Sequence, residues 1–212
     1  MSSPKPPFAC LAQAVCIAVE RHADELTALD QAIGDADHGI NMRRGFAAVA
    51  EKIDALGAMP FGAAVAEVGK ILVMTVGGAS GPLYGTFFMR LGAELGATPA
   101  PKRADLARAM RRALEAVQAR GKAVRGQKTM LDVLEPLVDL LDGDAPRSAS
   151  DIAVCAHQAA MATVPLRAEK GRASFLGDRS RDHLDPGARS TEIIAVALAA
   201  TWEDQCKEQG AT

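Results

Sequence analysis

The chain has 212 residues, of which 49% are hydrophobic and 24% are charged, and its formal net charge is −2. This length and balance predict one globular domain spanning residues 1–212. The small net charge argues against a general attraction to nucleic acid or to an anionic membrane. An aromatic content of 4% argues against a base-stacking surface for single strands.

The N-terminus and the cysteines both predict a cytoplasmic protein. Prolines lie among the first seven residues, where a signal peptide needs an apolar core. No uninterrupted apolar run reaches the roughly 20 residues that span a bilayer. The cysteines form no CxxC pair, so we interpret them as reduced thiols that fill space in the core: Cys10, Cys16, Cys155 and Cys206.

Apolar residues recur every three or four positions along most of the chain, which predicts one helix after another. Glycine or proline punctuates the ends of several segments. The predicted helices cover 8–29, 37–56, 61–76, a segment following 81–82, 106–121, 129–141, 150–166 and 190–205. The polar segment 167–189 is predicted to be a long loop, and loops of that length in a compact domain are usually functional or disordered.

The segment 71–76, Ile-Leu-Val-Met-Thr-Val, also fits another structure. A β-branched apolar run before a glycine turn is typical of a buried parallel strand that enters a phosphate loop. We predict a helix because no comparable run recurs to build a sheet. A doubly wound α/β kinase is retained as the alternative.

An acidic turn at 30–41 carries Asp30, Asp35 and Asp37 within eight positions, beside two glycines. Hard cations such as Mg²⁺ prefer oxygen ligands and often share their shell with substrate phosphates. The same residues also fit a polar turn in which Asp37 caps the next helix. The turn by itself leaves both interpretations open.

Three glycine-rich turns follow, at 77–86, at 121–132 and at 171–180, the last continuing to 185–188. Bare backbone amides before a helix suit a phosphate, although such turns commonly serve only to connect helices. Gly121 and Gly126 have the spacing of a P-loop, but Gln127 stands where glycine should precede Lys128. We therefore reject a P-loop.

Together, and in this order, the four segments resemble the nucleotide-binding L subunit of dihydroxyacetone kinase, from about residue 26 to residue 190. The resemblance implies an all-α fold of eight antiparallel helices in a barrel-like bundle, with the nucleotide site at one end. It also implies that Asp30, Asp35 and Asp37 hold two Mg²⁺ ions that carry the diphosphate of ADP. The long loop departs from the family pattern, for example with Phe175 in place of a tyrosine.

The resemblance further assigns nucleotide contacts within each turn. Gly121 and Met130 would border the adenine, and Arg172 would contact the diphosphate, which its planar fork of donors matches. For His38, a phosphate contact and an ordinary histidine at a helix start remain equally open. The implied nucleotide-binding residues are His38, Gly39, Ile40, Asn41, Ala79, Ser80, Gly121, Met130, Arg172, Asp185, Pro186 and Gly187.

The implied activity is phosphoryl transfer to dihydroxyacetone or a related small ketose, which a separate K subunit would hold covalently. The nucleotide would be ATP as an exchanging substrate, or ADP as a bound coenzyme that a phosphohistidine protein of the sugar phosphotransferase system recharges. No residues of this chain are assigned as catalytic, and no nucleic-acid or membrane partner is expected. A nucleotide-dependent regulatory module without catalysis, such as one that contacts a transcription regulator, is the alternative.

Overall fold

The structure, a computed structural model, describes residues 8–97, 101–143, 145 and 147–210, with side chains through residue 204. The described part of the chain contains α-helices and one 3₁₀ helix, and no strand. The all-α prediction is confirmed, and the α/β alternative is wrong. The α-helices are α1 Phe8–Ile33, α2 His38–Ala50, α3 Ile53–Gly57, α4 Phe61–Thr75, α5 Ser80–Leu95, α6 Arg103–Gly121, α7 Leu131–Asp142, α8 Ala149–Met161 and α9 Pro186–Gly210.

The eight longer helices form a closed ring. Each packs against the next one along the chain, with α2 packing against α4, and α9 closes the ring by packing against both α8 and α1. Short connections leave most consecutive helices antiparallel, and the long segment 162–185 joins α8 to α9. The predicted barrel-like bundle of eight helices is therefore confirmed, and the short α3 packs outside the ring against α1 and α4.

The segment predicted as one helix over 37–56 is two helices. The backbone amide of Lys52 bonds to the carbonyl of Val49 at 3.0 Å, which tightens the end of α2 into a 3₁₀-type turn. Helix α3 then begins and buries Leu56, which is 1% exposed. Because Glu51 and Lys52 are both good helix formers, no local signal marks this break.

Helices α4 and α5 pack with their backbones in contact, and glycines make this approach possible. A Cβ atom added to Gly69 would lie 2.7 Å from the carbonyl oxygen of Gly85, and one added to Gly92 would lie 2.3 Å from that of Gly62. The segment 71–76 falls at the end of α4, where Ile71 and Leu72 are buried. This close packing fixes the position of the glycine turn that joins the two helices.

The long loop contains more structure than we predicted. Helix α8 ends at Met161 rather than near 166, and a 3₁₀ helix spans Arg172–Ser180 with a kink at Gly177, where φ is 58°. Glycine supplies that left-handed backbone at little cost. The loop is thus an ordered segment that leads from α8 back to α9.

The described part of the chain has no helix with both the length and the apolar character that crossing a membrane requires. Cys10, Cys16 and Cys155 carry free thiols, as predicted. Burial raises the pKa of the Cys16 thiol to about 11, which keeps it protonated. The prediction for Cys206 concerns a side chain outside the described residues.

Candidate functional site

A cavity of about 380 Å³ opens at one end of the helical ring. Its walls come from the turns α1–α2, α4–α5 and α6–α7, from the long loop and from the start of α9. These segments were singled out separately in the sequence, and the fold brings them together. The predicted site residues that line the cavity are Asp30, Asp35, Asp37, His38, Ala79, Ser80, Gly121, Met130, Arg172, Asp185, Pro186 and Gly187.

Three predicted residues on α2 do not line this cavity. Gly39 packs against α1, where an added Cβ atom would lie 1.9 Å from the carbonyl oxygen of Ala23. Ile40 is 55% exposed, and the buried Asn41 accepts a hydrogen bond from Arg44 at 2.8 Å. Their contact with a nucleotide stays a prediction.

The three aspartates of the acidic turn converge. One carboxylate oxygen from each lies within 4.8 Å of the others. Ala36 adopts a left-handed backbone with φ of 61°, which bends the chain between Asp35 and Asp37. An added Cβ atom at Gly34 would lie 2.1 Å from Asp30 Oδ1, so glycine is required there.

Asp30, rather than Asp37, satisfies the start of α2. Asp30 Oδ2 accepts hydrogen bonds from the backbone amides of Asp37 at 2.9 Å and His38 at 3.1 Å. Asp37 occupies the N-cap position, but its side chain makes no capping hydrogen bond. The interpretation of Asp37 as the residue that caps α2 is therefore wrong, and its carboxylate is left available for a cation.

The charges of the cluster fit a divalent cation. The one cation paired with these carboxylates in the described structure is Arg172, whose Nε lies 3.0 Å from Asp35 Oδ2. A single guanidinium offsets one of three negative charges, so repulsion remains. Oxygen ligands in a half-open acidic cluster suit Mg²⁺, which keeps part of its shell for water and phosphate.

A hydrogen-bonded chain connects His38 to the glycine turn. His38 Nδ1 lies 3.0 Å from Ser80 Oγ, and His38 Nε2 lies 2.9 Å from Ser190 Oγ. Burial lowers the pKa of His38, which favours the neutral ring. His38 is thus a satisfied buried histidine that orients Ser80. Ser80 begins α5 just after the left-handed Gly78 (φ 64°), in a glycine turn whose backbone amides suit a phosphate.

Part of the cavity lining is apolar. Met130 is 4% exposed, and it packs beside the start of α9, where an added Cβ at Gly187 would lie 3.5 Å from its backbone nitrogen. Sequence reasoning identified Met130 and Gly121 but missed other apolar lining residues, whose spacing is that of ordinary helix core, among them Leu83, Val117, Ala123 and Leu131. A cavity lined by a carboxylate cluster, a glycine turn and apolar side chains has groups suited to the parts of a nucleoside diphosphate with its cation.

Comparison with known proteins decides the family. The DAK2 domain model matches residues 32–200. The chain is 42% identical over 183 residues to the ADP-binding subunit of the PEP-dependent dihydroxyacetone kinase of Escherichia coli, covering 84% of this chain and 87% of that protein. The chain belongs to the DAK2 domain family. The resemblance to the nucleotide-binding L subunit of dihydroxyacetone kinase is thereby confirmed.

Further DAK2 relatives agree with this assignment. The ADP-binding subunit of a PTS-dependent dihydroxyacetone kinase of Lactococcus lactis is 38% identical, over 85% of this chain and 88% of that protein. The native dihydroxyacetone kinase of C. freundii is 25% identical with a TM-score of 0.69, covering 94% of this chain. The DAK2 chain spans about a third of that kinase, at 36% of its length. A second structure of that kinase, in complex with AMP-PNP and Mg²⁺, has a TM-score of 0.72 at 24% identity and shows the shared fold.

Sequence reasoning on this DAK2 chain also missed the polar residues behind His38. The Tyr84 hydroxyl forms hydrogen bonds with Ser190 Oγ (2.7 Å) and Thr191 Oγ1 (2.8 Å), which connect α5 to α9. Burial raises the pKa of Tyr84 to about 12, so it stays protonated. Only the i, i+4 spacing of Ser80 and Tyr84 on α5 hinted that both face the same cavity.

Asp185 is a buried carboxyl in the cavity wall of the DAK2 chain. Its Oδ2 accepts a hydrogen bond from the amide of Ala188 at 2.7 Å, near the start of α9. Its pKa is raised to about 7, mainly by burial and also by the negative charges of Asp132 and Asp30, while the Ala188 amide and Lys128 oppose the shift. The ligand-free site therefore favours a protonated Asp185 below neutral pH.

We expect Asp185→Asn to stabilise the ligand-free DAK2 chain at pH 8 relative to the parent. Between about pH 4 and pH 7 the unfolded chain loses the Asp185 proton and the folded chain retains it, so the folded state loses stability as pH rises. Each pKa unit is worth about 1.4 kcal/mol, which limits the gain to a few kcal/mol. Urea unfolding at pH 5 and pH 8 measures this difference.

Asp151→Asn is a control that should change the stability at pH 8 in the opposite direction. The Ser148 backbone and side chain hold the pKa of Asp151 below its usual range in the capping box of α8. The ionised Asp151 therefore stabilises the folded state above about pH 4, so this substitution should destabilise the protein at pH 8. If Asp185→Asn changed the free energy of unfolding equally at pH 5 and pH 8, the assignment of a raised pKa to Asp185 would be contradicted.

Proposed function

We propose that this chain is the nucleotide-binding subunit of a dihydroxyacetone kinase. The observation that carries the proposal is the convergence of Asp30, Asp35 and Asp37 in the lining of a cavity that also contains apolar residues. The relatives that are named ADP-binding subunits match over more than four fifths of their length, at 87% and 85%. We also propose that residues 1–212 form one domain, which the ring closure between α1 and α9 supports.

Different residues of the cavity would contact different parts of the nucleotide. Asp30, Asp35 and Asp37 would hold two Mg²⁺ ions, which supply positive charge against the phosphate oxygens when bound. The amides around Ala79 and Ser80 would contact the diphosphate, and Met130 with Gly121 would border the adenine. Arg172, now paired with Asp35 at 3.0 Å, has the donors to contact a phosphate as well.

The names of the relatives favour ADP as a coenzyme. The Escherichia coli and Listeria innocua relatives are named PEP-dependent, and the Lactococcus lactis relative is named PTS-dependent. We therefore propose a phosphohistidine protein of the phosphotransferase system as the donor, a separate K subunit that carries the ketose, and a cytoplasmic location. A D-erythrulose kinase of Mycolicibacterium smegmatis is 36% identical over 91% of this chain and 34% of that protein, so the ketose is proposed only as dihydroxyacetone or a close relative.

We expect Mg²⁺ with ADP to raise the melting temperature by about 5–10 °C at 100 times the dissociation constant. A ligand that binds only the folded state adds roughly 2.7 kcal/mol under that condition, and proteins of this size shift by about 2–4 °C per kcal/mol. Thermal unfolding with Mg²⁺ and ADP together, and with ADP in EDTA, gives the measurement. Absence of any shift with both ligands present would overturn the proposed function.

A further inference from the structure

Lys128 belongs to the segment that resembles a P-loop and it lines the cavity, yet its ammonium group is bonded to backbone carbonyls. It is 1% exposed and is the largest fully buried side chain of the described residues. Its Nζ donates to the carbonyl oxygens of Thr163 at 2.7 Å, of Val164 at 3.3 Å and of His183. An ammonium group has three donors, and here each has a carbonyl acceptor.

These three carbonyls belong to the two ends of the long loop. The amide of Asp182 donates to the carbonyl of Val164 at 2.9 Å, and the amide of Asp185 donates to Thr163 Oγ1 at 3.2 Å. The loop thus closes on itself at its base, as an Ω-loop does. Lys128 Nζ lies at that base and bonds to both ends.

The loop between these ends carries part of the cavity wall. Lys170, Gly171, Arg172 and Ala173 line the cavity from within the loop, and Asp185 begins the segment that leaves it. Few apolar contacts hold the loop in place. The small hydrophobic cluster that includes it consists of Ile33, Ala168 and Ala173, with Leu176 packed against them. The polar contacts at the base therefore carry much of its positioning.

Lys128 has a shifted pKa and an uncommon backbone conformation. Desolvation lowers the pKa of Lys128, and the nearby carboxylates of Asp185, Asp182 and Asp132 oppose that shift. Lys128 also adopts a left-handed backbone with φ of 62°, a conformation uncommon for a non-glycine residue. A buried charge is tolerated when it is fully hydrogen-bonded. Its removal takes one donor from each of the three carbonyls, of which those of Thr163 and Val164 keep the backbone amides of Leu166 and Asp182 as donors.

We infer that Lys128 is a positioning residue that fastens both ends of the 163–185 loop to the α6–α7 turn, and thereby slows departure of the nucleotide from the cavity. This inference rests on the proposed function, since it concerns the same cavity. It assigns the lysine a role in retention of the ligand, without contact between its ammonium and the phosphates. The coenzyme mode, in which ADP stays bound, depends on such retention.

The test compares Lys128→Met with Lys122→Met in the full chain. Lys122 is an exposed lysine six positions earlier in the same turn, so its variant removes one charge without touching the loop base. The first readout is the dissociation rate of a fluorescent ADP analogue, with Mg²⁺, in stopped flow. We expect Lys128→Met to accelerate dissociation about tenfold or more, because charge-assisted hydrogen bonds are lost, and Lys122→Met to match the parent.

The second readout is amide hydrogen exchange in the ligand-free protein. Exchange over 163–184 should become faster in Lys128→Met, while amides in α4 and α5 keep the exchange of the parent. A loss of global stability alone would accelerate all these segments together and would leave dissociation from folded protein unchanged. If Lys128→Met is not recovered folded, Lys128→Gln, which retains two donors, replaces it and should show a smaller acceleration in the same direction.

The outcomes separate the inference from the proposed function. Failure of the parent chain to bind the analogue would count against the proposed function, and the exchange measurement would still test the loop base. Normal binding by the parent, with equal dissociation rates and loop exchange in Lys128→Met, would overturn the role of Lys128.

Discussion

Replacement of Asp35 by asparagine is expected to weaken Mg²⁺-dependent ADP binding by about 100-fold or more, since even outer partners of a metal ligand are worth about 10–100-fold. One oxygen from each of Asp30, Asp35 and Asp37 lies within 4.8 Å of the others, so each carboxylate is a candidate ligand. Asn retains the shape and one oxygen but removes the charge that attracts the cation. Calorimetric titration with ADP, with and without Mg²⁺, gives the affinity.

The ligand-free Asp35→Asn protein should fold normally. The substitution removes repulsion within the acidic cluster and sacrifices only the half-exposed pair with Arg172, and exposed pairs are worth about 0–1 kcal/mol. Circular dichroism and thermal unfolding without ligand therefore serve as the internal check. An unchanged ADP affinity in the presence of Mg²⁺ would refute the metal assignment.

Asp24→Asn is the matched control for that experiment. Asp24 lies on the surface of α1, where its carboxylate is 94% exposed and pairs with Arg43 at 2.8 Å. The control removes one negative charge from the same helix that ends in the acidic turn. If both variants lose affinity equally, the effect is one of net charge and not of the cluster.

The isolated chain is expected to form no dihydroxyacetone phosphate, whichever donor is supplied. The acidic turn, the glycine turns and the arginine loop are all assigned to a nucleotide, and none of these segments is assigned to a ketose. Transfer requires the phosphoryl group and the acceptor hydroxyl to be brought into line. We therefore expect turnover only after a K subunit docks over the phosphate end of the cavity and a phosphohistidine donor or ATP is added.

The assay follows dihydroxyacetone phosphate with Mg²⁺ and each donor, before and after addition of K subunit. Turnover by the chain alone would contradict the two-subunit proposal. Nucleotide binding without turnover in the complete mixture would instead support the regulatory module. The Asp35→Asn variant in the complete mixture should be inactive, which links activity to the acidic cluster rather than to a contaminant.

Much of the fold could be predicted from the sequence because its signals are local. Apolar spacing of three or four residues reports contacts between neighbouring turns of one helix, and it placed the eight ring helices to within a few residues at most ends. The carboxylates of Asp30, Asp35 and Asp37 lie within eight positions, so one turn was enough to suggest their cluster. Glycines at a turn likewise carry their meaning in the turn itself.

Tertiary structure decided what depends on distant partners. The break between α2 and α3 has no local signal, and it follows from burial of Leu56 against the rest of the fold. The start of α2 is satisfied by Asp30 rather than by Asp37, which the polar-turn interpretation proposed as the cap, because α1 ends beside the start of α2. Local preference identified the capping position but not the side chain that fills it.

The same reason explains the contacts that sequence reasoning missed. His38 meets Ser190 across 152 positions, and the ammonium of Lys128 meets carbonyls 35 and 55 positions away. A backbone carbonyl has no sequence signature, so the acceptors of Lys128 could not be inferred from residue types. Patterns in the chain thus determined the helices and the clustering of the acidic residues, whereas closure of the ring by α9 determined which buried polar groups satisfy one another.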